Sequence, residues 1–210
     1  MIPEHARRVF KGEILEVYTW DQELFDGSHS TFERIKKVDG VVIIATTDKN
    51  KILVVRNEQP THKTFVGLIG GMVNHGERPV DAAKRELLEE AGYSSDDWEL
   101  LKIYHPESNM MVYSTYLLVA RNCLKVGGQN LDPGEKIKVF KVTFGGFKKV
   151  LERNAVKQGY IALELYYITK IKKLSDSLKN KIFGRAKSNP LKIDEFALPK
   201  FDDSIFRPAD

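Results

Sequence analysis

Between Gly71 and Tyr93 the sequence reads GMVNHGERPVDAAKRELLEEAGY, with Glu86, Glu89 and Glu90 related by intervals of three, four and one. On a helix those intervals stack the three side chains over one patch of surface. Like charges so placed repel, and a helix surface built for stability alone would mix signs. Clustered carboxylate oxygens are instead what a hard divalent cation takes, magnesium first and manganese as the alternative. Just before the helix, Gly70 and Gly71 are expected to form a turn that brings backbone close to a ligand. The carbonyl of Gly70 then joins Glu86, Glu89 and Glu90 as a candidate metal ligand. Arg85 is expected to pair with Glu77, holding the preceding loop against the helix and orienting the carboxylates.

These residues must be positioned by a helix, and the sequence supplies one. From Pro79 to Ala91, Ala82, Ala83, Leu87, Leu88 and Ala91 recur at mostly three- and four-residue intervals among good helix formers. Pro79 suits the first turn, Asp81 complements the positive end of the dipole, and Gly92 is placed to stop the helix in a left-handed conformation.

Gly71, five residues, Glu77, seven residues, then Arg85-Glu86-Leu87-Leu88-Glu89-Glu90-Ala91-Gly92-Tyr93 resembles a complete Nudix box. The resemblance extends over roughly residues 8–168. It is narrower still to the nucleoside diphosphate sugar pyrophosphatases typified by ADP-ribose pyrophosphatase. It implies an α/β Nudix fold, a mixed β-sheet between helices, preceded by an antiparallel β-sheet that makes a homodimer. It also implies magnesium-dependent hydrolysis of a diphosphate linkage to a nucleoside monophosphate and a sugar phosphate, with Glu86, Glu89, Glu90 and the Gly70 carbonyl around the metal. The general base falls to Glu135, in LDPGEKIKVFKV, with Glu86 as the rival and Arg85 as the orienting residue of the catalytic set. Arg56, in KILVVR, and Met72 fall to substrate contact.

Two departures from that group bear on the substrate. The chain has Gly67-Leu68-Ile69-Gly70 where the group usually has Glu-Leu-Pro-Ala, and the loop Tyr104-His105-Pro106-Glu107-Ser108-Asn109-Met110-Met111 lacks the group's glycine and glutamate after the proline. The terminal sugar is therefore left open, whereas the diphosphate chemistry is not.

Composition agrees with one enzyme-sized unit. The chain has 210 residues, 42% of them hydrophobic, enough for a substantial core. A single cysteine, Cys123, excludes an internal disulfide, and no motif around it suggests a nucleophile. No apolar run approaches about eighteen residues and the N-terminus does not read as a cleaved leader, so the expected compartment is the cytoplasm. Residues 169–210 hold ten Lys or Arg and six Asp or Glu out of 33 and 29, which leaves the first 168 residues with 23 of each. The formal net charge of +4 thus lies in the tail, where contact with nucleic acid or an acidic partner is the open alternative. His5, His29, His62, His75 and His105 have no metal-binding spacing.

Alternation and turn residues predict strands at 7–20 and 30–38 paired around Asp26-Gly27-Ser28, and a hairpin of 41–46 with 51–56. Further strands are expected near 98–104, 112–121 and 136–143, then a helix over 144–153. The spacing of Ile168, Ile171, Leu174, Leu178 and Ile182 predicts that the next helix runs on unbroken from before Leu163 to a cap at Gly184. The organisation expected is an N-terminal β-sheet for dimerisation (1–38), a catalytic domain (39–168) and a C-terminal helical extension with a tail (169–210). Phe196, Leu198, Phe201, Ile205 and Phe206 are expected to pack the tail onto its own dimer or another protein. Besides hydrolysis of a nucleotide sugar, the residues allow action on another nucleotide diphosphate, such as capped RNA or a dinucleotide. A binding module of the same fold without catalysis has no evident use for all three glutamates.

Overall fold

A computed structural model describes residues 1–60, 62–106, 108–154 and 159–184. The expectations placed on Glu107 and on the apolar residues after Gly184 lie outside the described residues. In chain order the elements are β1 (Arg7–Lys11), β2 (Leu15–Glu23), β3 (His29–Lys37), β4 (Gly40–Thr47), β5 (Ile52–Gln59), β6 (His62–Gly67) and β7 (Ile69–Met72). There follow α1 (Pro79–Ala91), β8 (Tyr93–Ser94), β9 (Asp97–Tyr104), β10 (Met111–Val112), β11 (Thr115–Lys125), β12 (Lys136–Val142), α2 (Phe144–Asn154), α3 (Gly159–Lys170) and α4 (Lys172–Ile182).

Two sheets result. The first has the order β1-β2-β3-β10 and is antiparallel except for β10, which joins β3 in parallel. The second runs β12-β5-β4-β11-β8, with β6 beside β5, β7 beside β4 and β9 beside β11. Its central strands β4 and β11 are parallel and the remaining pairs antiparallel. β4 and β5 share the pair Thr46–Ile52 and then diverge, and β6 and β7 fill the gap between them. That divergence opens the sheet at the amino end of β4.

The apolar run of β4 and β5 is explained by burial on both faces. Val41, Ile43, Ala45, Leu53 and Val55 face α1, meeting Ala82, Ala83, Leu87 and Ala91. Ile44, Ile52 and Val54 face the other way, onto Phe147, Leu151, Leu165, Ile168, Leu178 and Ile182 of α2, α3 and α4. The sheet is therefore the middle layer of three.

Several expectations are corrected. The strand read over 7–20 is two strands, parted near Gly12, whose N–H bonds the Leu15 carbonyl at 2.8 Å. The strand read over 112–121 divides into β10 and β11, which belong to different sheets. Gly70 and Gly71 lie in a strand, β7, rather than a turn, because their backbone pairs with Val42 and Val41 of β4. The helix expected to run to Gly184 is interrupted at Ile171, whose backbone is extended (φ −93°, ψ 116°), and restarts as α4. Gly184 itself does take the left-handed conformation, at φ 63°.

Candidate active site

α1 begins at Pro79, has Asp81 in its first turn, and ends at Gly92 with φ 68° and ψ 30°. The Gly92 N–H bonds the Leu88 carbonyl at 2.7 Å. The later carbonyls, which a helix end leaves unpaired, are taken up by the segment after β11. Lys125 Nζ donates to Ala91 (2.7 Å), Gln129 Nε2 to Glu90 (2.5 Å) and the Asn130 N–H to Glu89 (2.9 Å). Gln129 Nε2 also reaches the carbonyl of Ile137, at 3.0 Å, tying the helix end to β12.

This arrangement encloses a cavity of about 430 Å³, with Gly70, Gly71 and Met72 of β7 and Arg85, Glu86, Glu89 and Glu90 of α1 on its walls. Asn57 and Gln59 of β5, Phe65 of β6, Asn74 after β7, and Asn130, Asp132 and Glu135 of the loop before β12 complete it. Of the residues singled out from sequence, the structure thus gathers Gly70, Met72, Arg85, Glu86, Glu89, Glu90 and Glu135. Arg56 is not among them. Alternation along β5 sends Asn57 and Gln59 to the α1 side and Arg56 to the opposite face, where Nη2 pairs with Glu58 at 3.0 Å.

Arg85 organises the carboxylates. Its guanidinium donates to both oxygens of Glu77 (3.1 Å each), to Glu86 (2.8 Å), to Glu89 (3.1 Å) and to the Met72 carbonyl (2.8 Å). The expected Arg85–Glu77 pair is present, and hydrogen bonds from Arg85 hold the Glu77 carboxyl below its ordinary range. Glu86 is mostly buried, and burial pushes its carboxyl up although Arg85 opposes the shift. Glu90 is 4% exposed and accepts one backbone bond, from the Gly70 N–H at 3.3 Å. Burial, helped by the charges of Glu86, Glu135 and Glu89 and only partly offset by that bond, pushes Glu90 up to about 8.

The two glycines of β7 serve different contacts. A Cβ at Gly70 would collide with the backbone carbonyl of Val41, and one at Gly71 with the carboxylate of Glu86. Gly70 lets two strands approach; Gly71 lets Glu86 lie flat against β7. Across the cavity, Glu135 follows a turn in which its N–H bonds the Asp132 carbonyl at 2.9 Å, and Gln59 Nε2 donates to its Oε1 at 3.3 Å.

The donor set fits a hard divalent cation: crowded carboxylates, one of them buried and short of partners. Among the described residues no three Asp, Glu, His or Cys side chains already converge on one point as a metal would require. Arg85 lies between Glu86 and Glu89. Cys123 is buried, its thiol pushed up to about 12 by burial, and belongs to the core. Asn57 and Gln59 were not singled out from sequence. In the fold, two-residue alternation beyond Val55 points them where Leu53 and Val55 point, but the apolar run 52–55, buried on both faces, leaves that phase open in the sequence.

The NUDIX domain family matches residues 36–158. ADP-ribose pyrophosphatase of Bacillus subtilis (strain 168) is 27% identical over 163 residues, covering 77% of this chain and 88% of that protein. The methanol dehydrogenase activator of Bacillus methanolicus is 26% identical over 178 residues, covering 84% and 94% respectively. ADP compounds hydrolase NudE of Escherichia coli (strain K12) is 29% identical over 100 residues, 47% of this chain and 54% of that one. Among solved structures, an ADP compounds hydrolase superposes with a TM-score of 0.59 at 22% identity, over 71% of this chain and 81% of that chain, a likeness of fold.

Proposed function

The chain belongs to the Nudix family, and on that premise we propose that it is a magnesium-dependent hydrolase of the diphosphate linkage in an ADP-ribose-like nucleoside diphosphate sugar. The observation that carries this reading is the meeting of Glu86, Glu89 and Glu90 on one wall of a cavity with Glu135 on the other. The names of two relatives, an ADP-ribose pyrophosphatase and an ADP compounds hydrolase, support the substrate class.

Glu86, Glu89, Glu90 and the Gly70 carbonyl would hold the metal, which when bound supplies Lewis-acid polarisation of a phosphoryl oxygen and a more acidic water. Serving as ligands requires Glu86 and Glu89 to give up part of their hold on Arg85. The two bonds from Arg85 to Glu77 keep the guanidinium in place while they do. Glu135 takes the proton from the attacking water. Its carboxylate is free of any cationic partner described in the structure and is steadied by Gln59, whereas Glu86 is tied to Arg85. That contrast favours Glu135 over Glu86 as the base. Met72 lines the cavity and is the better placed of the two for substrate contact; Arg56 does not line it and pairs with Glu58 on the opposite face of β5.

Incubation of the pure protein with magnesium and a panel of ADP-ribose, ADP-glucose, GDP-mannose, UDP-glucose, dinucleotides and capped RNA tests the reading. ADP-ribose or a related sugar nucleotide is expected to give a nucleoside monophosphate and a sugar phosphate; preferential release from capped RNA would replace it. Glu135→Gln should lower turnover by roughly two to four orders of magnitude with little change in KM, the usual size of general-base catalysis. A near-silent variant would move the base to Glu86.

In this reading the chain divides into an N-terminal sheet (1–38), a catalytic domain (39–168) and a helical extension (169–210). Val9, Phe10, Ile14 and Phe32 of the first sheet or its turns remain exposed, which supports a twofold dimer through this sheet. Light scattering at micromolar concentration is expected to give twice the chain mass. Among the described residues no helix is long and apolar enough to cross a membrane.

A further inference from the structure

Asn57 stands out in the cavity. It is 6% exposed, lies on β5 between Phe65 of β6 and Ile137 of β12, and lines the same walls as Glu86, Glu90 and Glu135. Its Oδ1 is buried and has no hydrogen-bond partner, alone in this among the described side chains. A buried acceptor left unpaired costs about 1–3 kcal/mol, so its retention points to a ligand that satisfies it.

The surroundings say what kind of ligand. The cavity is rich in acceptors: Glu86, Glu89, Glu90, Asp132 and Glu135. Of its donors, Arg85 is committed to Glu77, Glu86, Glu89 and the Met72 carbonyl and the Gln59 amide to Glu135, which leaves the Asn74 and Asn130 amides as the other side-chain donors on its walls. Asn57 is also linked to Glu90 at one remove, because its ladder partner Ile137 shares the Gln129 amide with the Glu90 carbonyl. One more neutral oxygen among carboxylates is matched by a centre that acceptors can share.

We propose that Asn57 Oδ1 is a further oxygen of the divalent-cation site, reaching the ion directly or through a water bound to it. This rests on the cation reading of the glutamate face and adds a residue of β5 to it. A neutral amide oxygen there adds a donor without adding to the repulsion among four glutamates, which suits a hard cation of high coordination number.

The test is manganous chloride titrated calorimetrically into the chelator-treated full chain, with melting curves recorded with and without the ion. Asn57→Leu should weaken manganese binding by about tenfold or more. Asn57→Asp, which keeps an oxygen in place, should bind within about threefold of the parent or tighter. Without metal, Asn57→Leu should melt at or above the parent, because an unpaired buried acceptor has been removed, while gaining less from added manganese. A merely structural asparagine would lower that melting temperature and leave the manganese affinity alone, which overturns the proposal. Unchanged manganese affinity with weakened binding of a nucleoside diphosphate also overturns it, assigning Oδ1 to the substrate. Glu90→Gln separates the two levels. A parent without saturable manganese binding that Glu90→Gln abolishes sinks the cation reading itself, whereas Glu90-dependent binding unmoved by Asn57→Leu sinks only the role of Asn57.

Discussion

The two faces of the central sheet bury polar groups in opposite ways. Under α2, α3 and α4 such groups are matched within the chain: Thr46 Oγ1 donates to the Ile182 carbonyl (2.9 Å), Thr169 Oγ1 to Tyr166 (2.8 Å), and Lys181 Nζ pairs with Glu99 (2.5 Å). Under α1, Glu90 has one weak backbone donor and Asn57 Oδ1 has none. The first face is finished by folding. The second is left short of positive charge, and that shortage is what marks it as the working face.

The largest expected effect breaks the second face. Glu90→Gln keeps the shape of α1 and removes a buried carboxylate, and turnover should fall roughly 10³-fold, as loss of several kcal/mol of metal-dependent stabilisation implies. Activity within about threefold of the parent at saturating magnesium would refute the assignment.

Next come the paired glycines, which sharpen the comparison within one strand. In Gly71→Ala the new methyl meets the end of a flexible side chain, so the protein should melt near the parent temperature while activity falls about 10–100-fold through the displaced Glu86. In Gly70→Ala it meets the backbone of Val41, so stability should fall by about 1–3 kcal/mol. Melting curves and turnover measured on both variants decide it, and an exchange of the two patterns would show that β7 is placed differently against Glu86.

The smallest effect tests the finished face. Thr46→Val removes the buried hydrogen bond to the Ile182 carbonyl and should cost about 0.5–1.5 kcal/mol, seen by denaturant titration, without a change in kcat or KM. A kinetic defect of the size expected for Gly71→Ala would mean that the two faces are not independent.

What the sequence disclosed follows from which residues carry a period. Glu86, Glu89 and Glu90 were legible because helical spacing alone puts them together, and Gly92 because a left-handed cap has few other candidates. β5 was legible as a strand but not in phase. Ile52 to Val55 are apolar on both faces, so nothing local told whether Arg56 or Asn57 turns toward α1. The break at Ile171 carries no glycine or proline, and the apolar spacing continues across it, so the pattern reads as one helix. β7 was missed because two glycines signal a turn in the absence of a partner strand. Its pairing with β4 depends on the divergence of β5, a long-range fact.

The segment from Lys125 to Glu135 closes the carbonyl end of α1 and also carries Asn130, Asp132 and Glu135 to the cavity. Fraying of the last turn of α1 would therefore loosen the near end of this segment, whereas Glu135 is also held at the far end by Gln59 and by the pairing of Lys136 with Glu58. A local opening at this end of the helix would thus draw Asn130 from the cavity before it moved Glu135.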